Sequence, residues 1–358
     1  MRRVWPPSSL PNREHRSVSP EGPIYRGSIL GLGGIARQAH WPAFRDDPGL
    51  RARARIVAAV DPAPHALPAG GPPRVERLTD LEQFAPIDFV DICTPTSSHV
   101  DLSLWALDHG YHVLCEKPVA LGRDDAARLA TSARRAGRVV MPCHQYRFNP
   151  AWQRVSQLLN EGAIGRWHLA EMQVYRLLAD PGIETGGTPW RGQEETGKGG
   201  VLLDHGTHLI YSLLDVGGAP QSVQCWTGRL RHQSYDVEDS ANLLLEFPNR
   251  LAVIFLTWAA HHRENRVRFI GEHGTIEWIG GRITLRRGDD IQTEDFTAQL
   301  DKSAYAGWFA GLFRDFVGRM DLRDSDSGLE DIQQVAEILE SAYESARTGR
   351  RVDLALTA

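Results

Sequence analysis

Residues 25–36 read Tyr25-Arg26-Gly27-Ser28-Ile29-Leu30-Gly31-Leu32-Gly33-Gly34-Ile35-Ala36, a short strand pattern that runs straight into a glycine-rich turn. The turn has the form Gly-x-Gly-x-x-Ala. Its first glycine permits a tight reversal and its second lets backbone approach a pyrophosphate. The small third residue, Ala36, lets a helix pack against the strand before it. A helix opening at this point aims its unpaired N–H groups at negative charge. The stretch therefore predicts the first β–α unit of a dinucleotide-binding domain, with Gly31, Gly33, Gly34, Ile35 and Ala36 at the cofactor.

Downstream, strand-like and helix-like segments alternate as far as about Val140. Residues 56–60 form an apolar run ended by Asp61-Pro62, and residues 88–93 another ended by Thr94-Pro95. Residues 99–109 have helical spacing, with Val100, Leu104 and Leu107 on one side. Residues 111–115 make a fourth strand, 124–136 a second helix and 139–143 a fifth strand. Strands apolar on both faces, with helices between them, predict an α/β Rossmann domain with a doubly wound parallel sheet. We place it at residues 25–146. After Asn149-Pro150 the pattern changes. A helix is expected at 152–159, then strands at 167–177, 223–229, 240–247, 251–258 and 266–270. Pro248-Asn249-Arg250 reads as a hairpin connection, and residues 274–279 with 283–286 as a second hairpin. Two late helices are expected near 308–320 and 328–348. Strand following strand predicts an α+β domain over 147–358 with a large, mostly antiparallel open sheet. Residues 1–24 carry prolines, serines and arginines without apolar period and read as a flexible extension.

Composition narrows the function. The 358 residues exceed one typical domain, and 42% apolar against 24% charged residues can bury a sizeable core. Forty basic residues face 45 acidic ones, for a net charge of −5, so a phosphate-backbone partner is not expected. The longest apolar runs are strand-sized, far below the roughly 20 residues of a membrane span. Cys93, Cys115, Cys143 and Cys225 form no Cys-x-x-Cys pair and read as buried thiols of a reducing compartment, so structural zinc is not expected. Met1-Arg2-Arg3 lacks a following apolar signal core. The chain reads as cytoplasmic.

Three further features carry chemistry. Asp61 ends the second strand, where a carboxylate can accept from adenosine ribose hydroxyls, although it lies 30 residues past Gly31. The segment 45–55 is expected to supply the excess as a loop. No basic side chain follows in Asp61-Pro62-Ala63-Pro64, which favours NAD over NADP. Glu116-Lys117-Pro118 follows the strand 111–115, so Lys117 points into the crevice where this architecture binds ligands. Finally, Gly199-Gly200 leads to Asp204-His205-Gly206-Thr207-His208. If a helix starts here, Asp204 and His208 are i and i+4 on one face, and the carboxylate can orient a basic imidazole for proton abstraction. The same residues could instead ligate a metal or be structural.

Together these stretches resemble the Gfo/Idh/MocA oxidoreductase family. The matching residues are Gly31–Ala36, Asp91-Ile92-Cys93-Thr94-Pro95 with His99, Glu116-Lys117-Pro118, and Trp190-Arg191 leading to Gly199-Gly200 and Asp204-x-x-x-His208. The resemblance implies NAD(P) bound between a Rossmann domain and a sheet domain, with dimers or tetramers formed through the sheet. It implies Thr94, Pro95, His99, Glu116 and Lys117 at the cofactor, Lys117 on the substrate hydroxyl, His208 as base and Asp204 in support. Two departures stand out: family members often carry an aspartate where this chain has Tyr211, and Gln145-Tyr146-Arg147 occupies a variable place. Tyr146, Arg147, Trp190, Arg191, His205 and Tyr211 are therefore expected to touch the substrate. The expected activity is NAD-dependent oxidation of a secondary hydroxyl of a sugar, nucleotide sugar or cyclitol, or the reverse reduction. The alternatives are an NAD-requiring glycosidase of the same fold and a non-catalytic sensor of dinucleotide and sugar.

Overall fold

The computed structural model describes residues 21–65, 70–179, 190–301 and 304–356. Most of the expected extension, residues 1–20, lies outside them. Of the remainder, Pro23 accepts a hydrogen bond through its carbonyl from the buried Arg53 guanidinium (3.0 Å).

Six strands build the first sheet: β1 (Tyr25–Leu30), β2 (Ala54–Val60), β3 (Arg74–Val75), β4 (Phe89–Ile92), β5 (His112–Cys115) and β6 (Val140–Pro142). They lie in the order β3-β2-β1-β4-β5-β6, every pair parallel. Strand order reverses between β1 and β4, which opens a crevice at their carboxyl ends. Both faces are covered. Ile29 joins a core with Phe44 and Phe89, while the adjacent Leu30 faces Val90, Ala106 and Leu129 on the opposite side. Alternation in β1 thus feeds two cores, as a strand buried on both faces requires.

The second sheet has nine strands: β7 (Trp167–Tyr175), β8 (Ser222–Gly228), β9 (Ser240–Phe247), β10 (Arg250–Thr257), β11 (Glu264–Gly271), β12 (Thr275–Ile279), β13 (Arg282–Arg287), β14 (Asp290–Asp295) and β15 (Val352–Asp353). Their order is β14-β13-β12-β11-β7-β10-β9-β8-β15. All neighbours are antiparallel except β7 and β10, which pair in parallel with Leu169 opposite Leu251. One face packs on helix Thr207–Gly217 through Leu209, Ile210 and Leu213.

Local structure departs from expectation in three places. The segment 45–55 is not a loop: Asp47 accepts from Leu50 N (2.9 Å) and caps a helix, Pro48–Arg53, with proline at its first position. Two π-helical turns appear, Ala36–His40 and Leu202–Gly206, each running into an α-helix. The helix Tyr305–Leu322, expected within the second domain, lays Phe309, Phe313 and Phe316 against the first sheet beside Ile29 and Phe89. The last helix, Asp326–Thr348, packs on both helix Arg123–Ala136 and β8.

Candidate active site

The glycine turn forms as the sequence predicts. Gly31 has φ +90°, and a Cβ there would stand 2.9 Å from Thr94 N, so a side chain is excluded by conformation and by crowding. Gly33 differs: a Cβ there would meet nothing within 4 Å and would project into open space. That space belongs to a cleft of about 600 Å³ lined by Gly31, Gly33, Gly34, Ile35, Asp61, Thr94 and Pro95. Asp61 Oδ2 accepts from Leu32 N (2.7 Å) and Oδ1 from Ala63 N (2.8 Å), so the carboxylate ties the end of β2 to the glycine turn. A backbone cradle with room over its second glycine and a carboxylate at the neighbouring strand end fits a dinucleotide. Ala36 is buried under the turn and does not line the cleft.

A second cavity, about 190 Å³, adjoins the first, and Ile35, Cys93, Thr94, Trp190 and Arg191 line both. Lys117, Asp204, His205 and His208 meet in it with Glu116, His99 and Tyr146. Lys117 Nζ donates to Asp204 Oδ1 (2.6 Å) and to the Asp204 carbonyl (2.7 Å). Arg191 Nε donates to the same carboxylate oxygen at 3.4 Å, and its guanidinium lies over the Trp190 ring. Burial opposes ionisation of Asp204, but the charges of Lys117 and Arg191 outweigh it and hold the carboxyl well below the usual range. His205 Nδ1 stands 3.2 Å from Asp204 Oδ2.

The expected Asp204–His208 pair does not form. Asp204 and His208 both face the cavity, but the Asp204 carboxylate is bonded by Lys117 and acts on His208 only through its charge. His208 is held by Tyr211 instead, with Nδ1 2.9 Å from the phenol oxygen, which also accepts from Tyr146 N (3.0 Å). The His208 ring stacks on Tyr146, centroids 4.2 Å apart and 9° from parallel. Burial, then the charge of Lys117, pushes its pKa well below the ordinary histidine value, leaving a neutral imidazole at the cavity wall.

Other expected residues fall elsewhere. Tyr211 is fully buried behind His208 and does not line the cavity. Arg147 is also outside it: its guanidinium bridges Asp215 (2.8 Å) and Asp331 (2.6 Å) and ties the domain junction to the last helix. His99, which does line the cavity, lies between the Pro118 carbonyl (Nδ1, 2.8 Å) and the Thr94 carbonyl (Nε2, 2.9 Å); burial keeps its ring neutral, so it donates to one of the two and packs against the loops after β4 and β5. The glycine pair has a packing cause: a Cβ at Gly200 would stand 1.9 Å from the Glu238 carbonyl oxygen. Glu238 in turn accepts from Gly200 N and Leu202 N and caps the segment that presents Asp204.

Arg176, Arg263 and Tyr305 also line the cavity. They come from the end of β7, the approach to β11 and the start of the helix Tyr305–Leu322, and no local motif announces them. Gln145 donates to Tyr305 Oη (3.3 Å) across the junction.

A Rossmann cleft that opens into a pocket holding a lysine, a carboxylate and a neutral histidine defines a dinucleotide-dependent oxidoreductase. Residues 26–144 match the family model of the NAD-binding Rossmann oxidoreductases, and residues 152–277 that of the GFO/IDH/MocA C-terminal domain. The chain belongs to the Gfo/Idh/MocA oxidoreductase family. It is 27% identical over 354 residues to a D-apiose dehydrogenase of Paraburkholderia graminis, covering 92% of this chain and 90% of that one. It is 26% identical over 290 residues to a D-glucoside 3-dehydrogenase of Escherichia coli, covering 75% and 79%. An oxidoreductase from Agrobacterium radiobacter, solved with NAD+, L-tartaric acid and magnesium, superposes with a TM-score of 0.80 at 24% identity, covering 92% and 98%, and shows the shared fold.

Proposed function

We propose that the protein is an NAD-dependent dehydrogenase that oxidises a secondary hydroxyl of a sugar, nucleotide sugar or cyclitol, or reduces the matching ketone. The observation that carries this reading is the convergence of Lys117, Asp204 and His208 on one cavity that opens into the glycine-turn cleft. The names of the two sugar-dehydrogenase relatives support the substrate class.

In this reading the turn from Gly31 to Ile35 receives the pyrophosphate and Asp61 accepts from the adenosine ribose, with Thr94 and Pro95 flanking. Bound NAD+ supplies the hydride acceptor. The substrate hydroxyl gives its proton to His208 Nε2, the ring nitrogen left available once Nδ1–H donates to Tyr211 Oη. Lys117 spends two N–H groups on Asp204 and aims the third at the developing alkoxide, whose charge the ammonium stabilises. Asp204 thus bonds the lysine, lies against His205, and reaches the base through its charge, which favours the imidazolium. NAD is favoured over NADP because a 2′-phosphate would meet the Asp61 carboxylate. The Arg74 guanidinium beside this strand end is spent on the Asp61 and Ala63 carbonyls (2.6 and 3.0 Å).

Four buried free cysteines favour the cytoplasm, and no helix among the described residues is long and apolar enough to cross a membrane. Leu244, Val253, Phe255 and Trp226 on the outer face of the second sheet support pairing of two copies there.

The test is to incubate the purified protein with NAD+ and a panel of sugars, nucleotide sugars and cyclitols, following NADH. At least one polyol should yield NADH, and His208→Ala should slow its turnover roughly 10²–10⁴-fold, with NAD+ affinity little changed. Release of a free sugar from a glycoside without net NADH would overturn the dehydrogenase reading in favour of the glycosidase.

A further inference from the structure

Beneath the inner cavity lies a buried cluster that the reaction above does not use. His40, fully buried on the first π turn, places Nδ1 2.8 Å from Asp91 Oδ2 and Nε2 3.0 Å from Glu116 Oε1. An imidazole with a carboxylate at each nitrogen needs two N–H donors; a neutral ring has one and would face the second carboxylate lone pair to lone pair. Cys93 Sγ stands 3.2 Å from Nδ1, and Cys143 lies within ligating reach of His40 and Glu116. Phe309 and Phe313 close the ring from the helix Tyr305–Leu322, at centroid distances of 4.6 and 5.1 Å. Burial works against a charge on His40, but the Asp91 carboxylate outweighs it and raises its pKa well above the ordinary value. Burial likewise opposes the anion at Glu116, and the bond from His40 reverses that and lowers its pKa. Burial drives the Cys93 thiol up to about 12, so it stays protonated. Both nitrogens of His40 already face a carboxylate, so a cation ligated there would have to displace a proton.

Two members of this cluster reach the inner cavity, Cys93 and Glu116, and Glu116 is its carboxylate there, next to Lys117 and close to Cys93 and Thr94, which line the cleft as well. Its second oxygen accepts from Lys117 N (3.2 Å), so it also sets the start of the loop that carries the lysine. We propose that His40 is a positioning residue: clamped between Asp91 and Glu116, it fixes Glu116 as an anion at the junction of cavity and cleft, and that anion weights the site toward the oxidised, pyridinium form of the dinucleotide. The inference rests on the cofactor reading above. Its chemistry is electrostatic. The nicotinamide ring carries a positive charge when oxidised and none when reduced, so a fixed anion in a site shielded from water discriminates between the two. Without His40, only the Lys117 charge and backbone N–H would oppose burial at Glu116, and the carboxyl would take up a proton more readily.

The experiment has two arms. In the protein without cofactor, ¹⁵N NMR of the histidines should show one ring, assigned through His40→Gln, protonated at both nitrogens at neutral pH and above. Its environment holds Asp91, Cys93, Glu116 and Cys143 from the strands and only Phe309 and Phe313 from the helix, with Tyr305 near Glu116. A singly protonated His40 at neutral pH would overturn the proposal. In the second arm, NAD+ and NADH affinities are measured by titration for the unmodified protein, His40→Gln, Glu116→Gln and the double variant. Each single change should weaken NAD+ roughly tenfold and NADH hardly at all, and the double variant should be no worse than Glu116→Gln. Additive losses, or equal losses for both cofactor forms, would reduce His40 to a packing role and overturn the inference. If His40→Gln fails to fold, the ring is assigned instead by its through-space contacts to Phe309 and Phe313, and that result with the Glu116→Gln affinity ratio still decides. If the unmodified protein binds neither form, the cofactor reading itself falls and this inference with it, whereas binding with an unchanged ratio refutes the inference alone.

Discussion

Tyr211→Phe removes one oxygen and no volume from a fully buried ring, so its effect isolates a hydrogen-bond junction. That oxygen meets His208 Nδ1 at 2.9 Å and Tyr146 N at 3.0 Å. Without it the Tyr146 N–H has no acceptor in its place, and an orphaned buried donor costs about 1–3 kcal/mol. The variant should therefore unfold at lower denaturant with an unchanged m-value. His208 keeps its stack on Tyr146 but loses the bond that sets its in-plane rotation, and a base misplaced by about 1 Å can lose on the order of 10² in rate. The loss should fall on kcat rather than KM, since Tyr211 does not line the cavity. The rate–pH profile tests the same contact. His208 is depressed below its ordinary value, so the base form persists as pH falls below about 6.5. The acid limb of the unmodified enzyme should accordingly lie lower than that. A phenol oxygen accepting from Nδ1–H stabilises the imidazolium, so its removal should move the limb lower still. Steady-state rates between pH 4 and 9 on the substrate found by the panel, with urea denaturation alongside, complete the assay. A variant with unchanged kcat and a loss of stability would show that Tyr211 only packs, and would return His208's orientation to another group.

Gly33→Ala should leave thermal stability intact, because a Cβ there meets nothing, yet weaken NAD+ binding if the proposed pyrophosphate takes that open space; Gly200→Ala should instead destabilise the fold in melting experiments, its Cβ lying 1.9 Å from the Glu238 carbonyl. Asp61→Ser with Pro62→Arg should shift cofactor preference toward NADP, measured as the ratio of kcat/KM values, and an unmodified protein that already prefers NADP would contradict the ribose role of Asp61. His112 accepts from Val139 N (3.0 Å) through Nδ1, and burial, then Arg138, lowers its pKa to about 4. The folded state keeps it neutral, so its stability contribution is whole above about 6.5 and disappears as pH falls toward 4, a loss of about 3 kcal/mol. His112→Gln should flatten that part of a stability–pH curve.

Much of this architecture could be read from the chain. Apolar runs such as 56–60 and 88–93 became β2 and β4 because only a strand covered on both faces tolerates them. Pro248-Asn249-Arg250 turned β9 into β10, with Asn249 at φ +58°. The sites of Lys117 and His208 followed from motifs whose spacing is local. What escaped was non-local. The i, i+4 argument put Asp204 and His208 in one cavity but missed that Lys117, 87 residues away, takes the carboxylate, and no local motif ties His40 to Asp91 and Glu116. Arg176, Arg263 and Tyr305 reach the cavity only through the register of β7 with β11 and the return of a late helix. The short outer strands β14 and β15 lack the apolar content that betrays a buried strand.

The helix Tyr305–Leu322 makes synthesis itself a constraint on this protein. Its phenylalanines cover one side of a sheet whose last strand, β6, is complete about 160 residues earlier. At ribosomal speed that gap lasts roughly ten to thirty seconds. During it the carboxyl edge that forms the cofactor cleft stands on a half-covered layer, with Ile29 and Phe89 covered on that side by Phe44 and its neighbours but not yet by Phe309, Phe313 and Phe316. The nascent sheet must therefore wait, held loosely or shielded by another protein, until nearly the whole chain has emerged. A ribosome stalled before Tyr305 would release a glycine turn that is present in sequence but has no finished sheet to stand on.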